Sequence, residues 1–173
     1  VVGYIGGIRD SIDKDLVSNL LREFQEYTFV FVGPIQIDVS FLEGFKNVLL
    51  TGKKPHEELP DYIKNFDACI IPYKKNSYTD NISPAKLNEY LIMGKPVIST
   101  DLYEIELFNR ENGNVVSIAN NANDFSRLLS EALDEQSDAA MINKRREVAL
   151  KNSWDKKIEK MSELIDSKIV TKG

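Results

Sequence analysis

Lys86 and Glu89, three residues apart and just behind the dipeptide Ser83-Pro84, are the charged pair whose types and spacing could do chemistry. A helix that begins here leaves amide N–H groups free in its first turn and carries partial positive charge, a ready site for phosphate. Ser83 is expected to accept from those amides as the cap. Pro84 is expected at the first helical position, where a missing N–H costs nothing. Lys86 adds a cation for phosphate, and Glu89 on the same flank a carboxylate for hydroxyls. The competing reading is an ordinary surface ion pair at i, i+3. Leu87, Tyr90, Leu91, Ile92 and Met93 argue against it, because they leave little of the helix for water, and a buried unpaired carboxylate is costly.

The elements that must position this pair are short and regular. Gly94 ends the helix, and Pro96 opens a strand running to Thr100. Other strand-like runs are Val1 to Ile8, Thr28 to Gly33, Asn47 to Gly52, Asp67 to Tyr73 and Val115 to Ala119, the last after the turn Asn112-Gly113-Asn114. They are rich in Val and Ile and do not alternate in polarity, which is what a sheet covered on both faces produces. Between them, Leu16, Val17, Leu20, Leu21 and Phe24 mark an amphipathic helix, and a second is expected from about Glu57 to Phe66. The expected fold is α/β: a doubly wound, mainly parallel, six-stranded Rossmann-like sheet with right-handed crossovers and helices on both faces. Extra C-terminal helices follow. Asn123 is expected to cap one carrying Phe125, Leu128, Leu129, Ala132 and Leu133, and a charged one spans about Ala139 to Lys151. Ser153 caps the last, with Trp154, Ile158, Met161, Leu164, Ile165 and Ile169 at helical spacing. Such stripes usually pack on their own sheet; the last could instead reach a neighbouring domain.

In an open sheet of order 3-2-1-4-5-6, ligands bind beyond the carboxyl ends of the strands where the order reverses, between strands one and four. The loop after strand one begins Gly6-Gly7-Ile8-Arg9, and the loop after strand four, Tyr73 to Asn81, leads into Ser83. Fold and motif therefore select one crevice. Gly7 would let the backbone approach a ligand, and Arg9 could offer a guanidinium fork to phosphate. A plain tight turn and a solvated loop charge are the alternatives for these two.

Bulk properties exclude several classes. The 173 residues suit one domain, residues 1–173, with a sizeable core. A net charge of −5 disfavours nucleic acid as the main partner. The single Cys69, inside Ala68-Cys69-Ile70-Ile71, reads as a buried inert thiol, excludes an internal disulfide and fits a reducing compartment. No apolar stretch approaches the ~20 residues of a membrane span. The glycines at 3, 6 and 7, and Gly33-Pro34 ending strand two, fit a nicotinamide fingerprint poorly, and no Walker loop occurs. With His56 the only histidine, a His-based metal cluster or a Ser-His-Asp triad would be hard to assemble. The chain opens at Val1 already inside a strand-like run, which predicts a domain cut from a longer protein.

Taken together, these residues resemble the C-terminal, donor-binding half of a GT-B glycosyltransferase, of the retaining bacterial type that builds surface polysaccharides. The likeness runs from Gly3-Tyr4-Ile5-Gly6-Gly7 through Phe29 to Pro34, Asn47 to Gly52, Glu57 to Ile63 and Phe66 to Tyr73. It is most specific in Ser83-Pro84-x-Lys86-Leu87-x-Glu89-Tyr90-Leu91 and Gly94-Lys95-Pro96-Val97. The resemblance implies that Glu89 holds the ribose of a nucleoside-diphosphate sugar. It also implies that the amides of Ser83 and Ala85 hold the diphosphate. The first glutamate of the family's Glu-x7-Glu pair would fall at position 81, where this chain has Asn81. Arg9 matches a pyrophosphate-neutralising arginine, Lys14 is a poor match for the accompanying lysine, and Lys54 lies in the loop where relatives bind the base.

The implied function is a donor domain, metal-independent and without a cofactor. It would bind a nucleotide sugar for transfer to a saccharide or lipid-linked acceptor held by a missing N-terminal domain. The helix over residues 153–170 would dock on that domain, and the fragment alone would transfer nothing. The implied location is cytoplasmic, with the whole enzyme peripheral at the inner face of the membrane. Two alternatives stand beside it. A GT-B UDP-sugar epimerase expects acidic and histidine catalytic residues not found here. The other is a non-catalytic α/β nucleotide-binding or receiver-type module; the receiver reading expects a carboxylate cluster at the ends of strands one and three, and Asp10 is close to the first but Gly52-Lys53-Lys54 ends the third.

Overall fold

Six parallel strands form one sheet in the order β3-β2-β1-β4-β5-β6. The computed structural model describes residues 1–134 and 138–170, with side chains to residue 166. The strands are β1 (Val2–Ile5), β2 (Phe29–Val32), β3 (Val48–Gly52), β4 (Ala68–Ile71), β5 (Val97–Thr100) and β6 (Ser117–Ala119). Each lies inside the run its residues mark out. Every residue of β1, β2 and β4 is buried, as expected of strands covered on both faces. β3 and β6 are the edge strands, and Leu49 of β3 is half exposed.

The helices are α1 (Lys14–Glu23), α2 (Leu59–Lys64), α3 (Ala85–Ile92), α4 (Tyr103–Asn112), α5 (Ala122–Asp134), α6 (Ala139–Lys151) and α7 (Trp154–Val170), with short 3-10 turns at Ser40–Leu42, His56–Glu58 and Thr79–Asn81. α1 and α5 pack on each other, with α5 lying over β4, β5 and β6, while α6 packs on α3. A hydrogen bond from Ser126 to the Glu23 carboxylate ties α1 to α5. The helix α4 is not anticipated by the sequence pattern. It buries only Ile105 and Asn109 and carries acidic residues in its first turn, so its apolar stripe is too thin to read. Asn109 holds it in place: its Oδ1 accepts from the N–H groups of Val115 and Val116 at 3.1 Å, and its Nδ2 donates to the Val116 carbonyl at 2.7 Å.

Two helix starts differ from expectation. Asn121, not Asn123, caps α5, its side chain accepting from the Asp124 N–H at 3.0 Å. Ser83 does not cap α3. Pro84 is the last extended residue (ψ 109°), so the helix begins one residue later than its sequence suggests, and no side chain caps it. The first turn is closed by the Leu87 N–H donating to the Pro84 carbonyl at 2.9 Å. Ser153 does cap α7, accepting from the Lys156 N–H. The stripe of α7 is largely open to solvent: Trp154, Ile158, Met161, Leu164 and Ile165 are all at least half exposed. Ile169 lies outside the described side chains.

Candidate donor-binding crevice

The sheet opens between β1 and β4. β1 pairs with β2 along its whole length, but with β4 only through Val2 and Gly3. Beyond Gly3 the missing rung is replaced by a side chain: the Ile5 N–H donates to the hydroxyl of fully buried Tyr90, on α3, at 2.7 Å. That bond ties the end of β1 to α3 and sets how far apart the crevice walls stand.

Gly6 and Gly7 follow at once. Gly6 has φ +121°, and the carbonyl of Gly6 lies so close to Gly33 that a Cβ there would come within 2.1 Å of its oxygen. The two βα loops therefore touch through backbone alone. The Gly7 carbonyl accepts from the Tyr4 hydroxyl at 3.0 Å, and the next turn is held by Ile12 bridging antiparallel to Tyr73. From these supports a cavity of about 350 Å³ opens, lined by Gly6, Gly7, Arg9, Ser11, Tyr73, Tyr78, Ile82 and Lys86.

Lys86 turns inward to the crevice floor. Its Nζ stands 3.7 Å from the centre of the Tyr4 ring and 5.1 Å from that of Tyr73. It forms no ion pair with Glu89, so the i, i+3 surface pair is not what this helix carries; the Glu89 charge acts on Lys86 only through space. Burial pushes the Lys86 amine well below the ordinary lysine range, Glu89 opposes that shift, and Arg9 adds to it. Burial also pushes the phenols of Tyr4 and Tyr73 up. Arg9 lies exposed with its Nε donating to Gln36 Oε1, which leaves its terminal nitrogens without a hydrogen bond among the described residues. The lining thus holds two basic side chains and no acid.

Of the residues singled out from sequence, the structure brings Gly7, Arg9 and Lys86 to the cavity wall. Ser83 and Ala85 are exposed at the helix start just behind it, and Glu89 is partly exposed one turn along, with no hydrogen bond among the described residues. α3 is less apolar outward than its residue types suggest: Asn88, Glu89 and Met93 are partly exposed and Ile92 is 39 % exposed, so Glu89 needs no internal partner. Asn81 ends the 3-10 turn and donates to the Ser77 carbonyl at 2.7 Å. Lys54 is not brought to the crevice. It follows β3, two strands from β1, and its amine sits 5.8 Å over the Tyr62 ring. Ser11, Tyr78 and Ile82 are structural surprises at this wall. Their only sequence signal is membership of the two loops flanking the switch point.

Cys69 is buried and its thiol is pushed up by burial, as the apolar run around it implies. Among the described residues no helix is long and apolar enough to cross a membrane.

Residues 2–135 match the family model described as glycosyl transferases group 1. The chain belongs to this glycosyltransferase family. It is also 31 % identical over 159 residues to a putative teichuronic acid biosynthesis glycosyltransferase, TuaH, of Bacillus subtilis (strain 168). That match takes in 90 % of this chain but 40 % of the relative, so the chain spans well under half its length. Solved structures of similar fold include a complex of S. aureus TarM with fondaparinux, alpha-GlcNAc-glycerol and UDP (TM-score 0.73, 20 % identity, 94 % of this chain and 34 % of that one). Sucrose-phosphate synthase from Thermosynechococcus elongatus is similar at TM-score 0.79 and 14 % identity, covering 98 % and 45 % of the two chains. Anabaena HepE in complex with UDP is similar at TM-score 0.77 and 11 % identity, covering 96 % and 48 %. At these identities the glycosyltransferase domain and its neighbours share a fold, the doubly wound sheet described above.

Proposed function

We propose that this chain is the donor-binding part of a glycosyltransferase that passes a sugar from a nucleoside diphosphate to a saccharide or lipid-linked acceptor in surface polysaccharide synthesis. The carrying observation is the convergence of Arg9, Lys86 and the uncapped start of α3 on one acid-free cavity at the switch point of the sheet. The leaving nucleoside diphosphate gains negative charge as the glycosidic bond breaks. Fixed amides, a helix dipole and two cations stabilise that charge without a metal. Gly7 lets the pyrophosphate lie against backbone, the amides of Ser83 and Ala85 donate to it, and Glu89 accepts from the ribose hydroxyls. Asn81 replaces a carboxylate on the sugar side, and Lys54 stands by the base. The TuaH relationship supports the polysaccharide setting, and the UDP complexes among the structural neighbours make UDP the first ligand to try.

In this reading the acceptor is held by a second, N-terminal domain of the same protein. The exposed stripe of α7 docks there. The enzyme works on the cytoplasmic side, peripheral to the membrane. Calorimetry with UDP, GDP, ADP and TDP tests the reading: at least one binds, and Arg9→Ala weakens it. Silence from all four at millimolar concentration would overturn it. EDTA leaves binding unchanged if no metal takes part.

A further inference from the structure

Arg9 is an exposed loop residue, and an unheld side chain of that length samples many rotamers. One bond restricts it: its Nε donates to Oε1 of Gln36, in the loop after β2. Gln36 stands on fixed backbone, because its loop and the loop after β1 continue the pairing of the two strands. The Ile8 N–H donates to the Pro34 carbonyl at 2.9 Å, and the Gln36 N–H donates to the Ile8 carbonyl at 3.0 Å. Ile8 also bridges Ile35 in parallel. The side-chain bond crosses the bare Cα of Gly7, where a Cβ would lie 2.7 Å from Arg9 Nε and 2.9 Å from Gln36 Oε1. Glycine at this position therefore leaves the gap through which the two side chains join. With Nε taken, the planar guanidinium keeps both terminal nitrogens for a ligand, and Arg9 lines the cavity. The acceptor is a neutral amide, so it fixes the fork without cancelling its charge, as a carboxylate would. The same loop takes the next cation elsewhere: Lys14 donates to the Asp38 carbonyl at 3.4 Å and is not among the lining residues.

We propose that Gln36 is a positioning residue for the donor site: it holds the Arg9 fork in place for the pyrophosphate before any ligand arrives. The proposal rests on the reading of this crevice as the pyrophosphate site. A long side chain that is ordered only on binding charges that ordering to the affinity, and a fork already set avoids it. Losing the bond should therefore weaken UDP by about two- to tenfold. Arg9 keeps its charge when the bond is gone, so affinity falls without vanishing.

A double-mutant cycle read by UDP calorimetry tests this. Gln36→Met keeps the length of the side chain and removes the amide acceptor. It should weaken UDP in the original chain and change nothing in the Arg9→Ala background, where there is no fork left to hold. Its melting temperature should stay where it was, since Gln36 is exposed. NMR of the unliganded chain gives a second readout: the Arg9 Nε–H signal, assigned by its loss in Arg9→Ala, should shift or broaden in Gln36→Met. Equal weakening of UDP in both backgrounds would overturn the proposal, and so would no weakening in the original chain. An Arg9 Nε–H signal untouched by Gln36→Met would overturn it whatever UDP does. If the original chain does not bind UDP, or Arg9→Ala binds it equally well, the crevice reading fails and the part of Gln36 in donor binding fails with it. A shifted Nε–H signal would then still establish that Gln36 holds Arg9.

Discussion

Replacing Tyr90 by Phe removes one oxygen atom from a fully buried side chain and leaves its volume almost unchanged. The oxygen is the acceptor for the Ile5 N–H at 2.7 Å, in the stretch where β1 has already lost its pairing to β4. No backbone carbonyl of β4 is in register to take over, so the amide would be left buried and unsatisfied. Stranding a buried donor costs about 1–3 kcal/mol, a substantial share of the roughly 5–15 kcal/mol that holds a domain together. For a chain of this size the melting temperature should fall by about 2–12 °C, at ~2–4 °C per kcal/mol. Urea unfolding followed by circular dichroism should show a lower midpoint at unchanged slope, because the surface exposed on unfolding is the same. Tyr4→Phe is the internal control. Its hydroxyl donates to the half-buried Gly7 carbonyl, which water can reach, so the loss should be smaller, about 0.5–1.5 kcal/mol. A Tyr90→Phe chain within about 0.5 kcal/mol of the original, the scatter of surface substitutions, would refute the idea that this hydroxyl substitutes for a rung of the sheet.

Glu89→Ala should weaken UDP binding by about one to two decades, the worth of roughly 1.5–3 kcal/mol for a charged acceptor. Its melting temperature should stay nearly unchanged, since Glu89 makes no hydrogen bond or ion pair among the described residues; unfolding with unaltered affinity in the folded fraction would make it a structural residue. Gly33→Ala should cost about 3 kcal/mol or more, because the added Cβ would lie 2.1 Å from the backbone oxygen of Gly6 and a backbone atom cannot swing aside. Urea midpoints measure it, and a fully stable variant would mean the two loops do not touch. Ile158→Glu and Ile165→Glu, both on the exposed stripe of α7, should shift the stability of this chain by no more than about 0.5 kcal/mol while abolishing transfer by the whole enzyme. Large destabilisation of the isolated chain would show that α7 packs on its own sheet. Cys69 should resist thiol reagents until the chain unfolds, since its thiol is buried and pushed up.

Much of this architecture is local enough to be written in residue types. Runs such as Ala68-Cys69-Ile70-Ile71 and Phe29-Val30-Phe31-Val32 can only be strands covered on both faces, and once six of them alternate with helices the handedness of crossovers leaves few orders open. The switch point, and with it Gly7 and Arg9, follows from that order. Where the helix stripe is broad, as in α5 and α7, the sequence locates it; where only Ile105 and Asn109 face inward, as in α4, it does not. The start of α3 turned on a single ψ angle at Pro84, which residue preferences do not resolve to one position. Lys86 was legible as a cation at a helix start. That it would fold inward over Tyr4 rather than pair with Glu89 was not, because the decision belongs to partners 82 and 13 residues away in the chain, Tyr4 and Tyr73. Lys54 shows the same division from the other side: its loop is recognisable, yet the sheet order sets it two strands from the crevice, about 10 Å at the spacing of neighbouring strands. Local sequence determines which backbone groups and charges exist; only the packed sheet determines which of them meet and which lose their water.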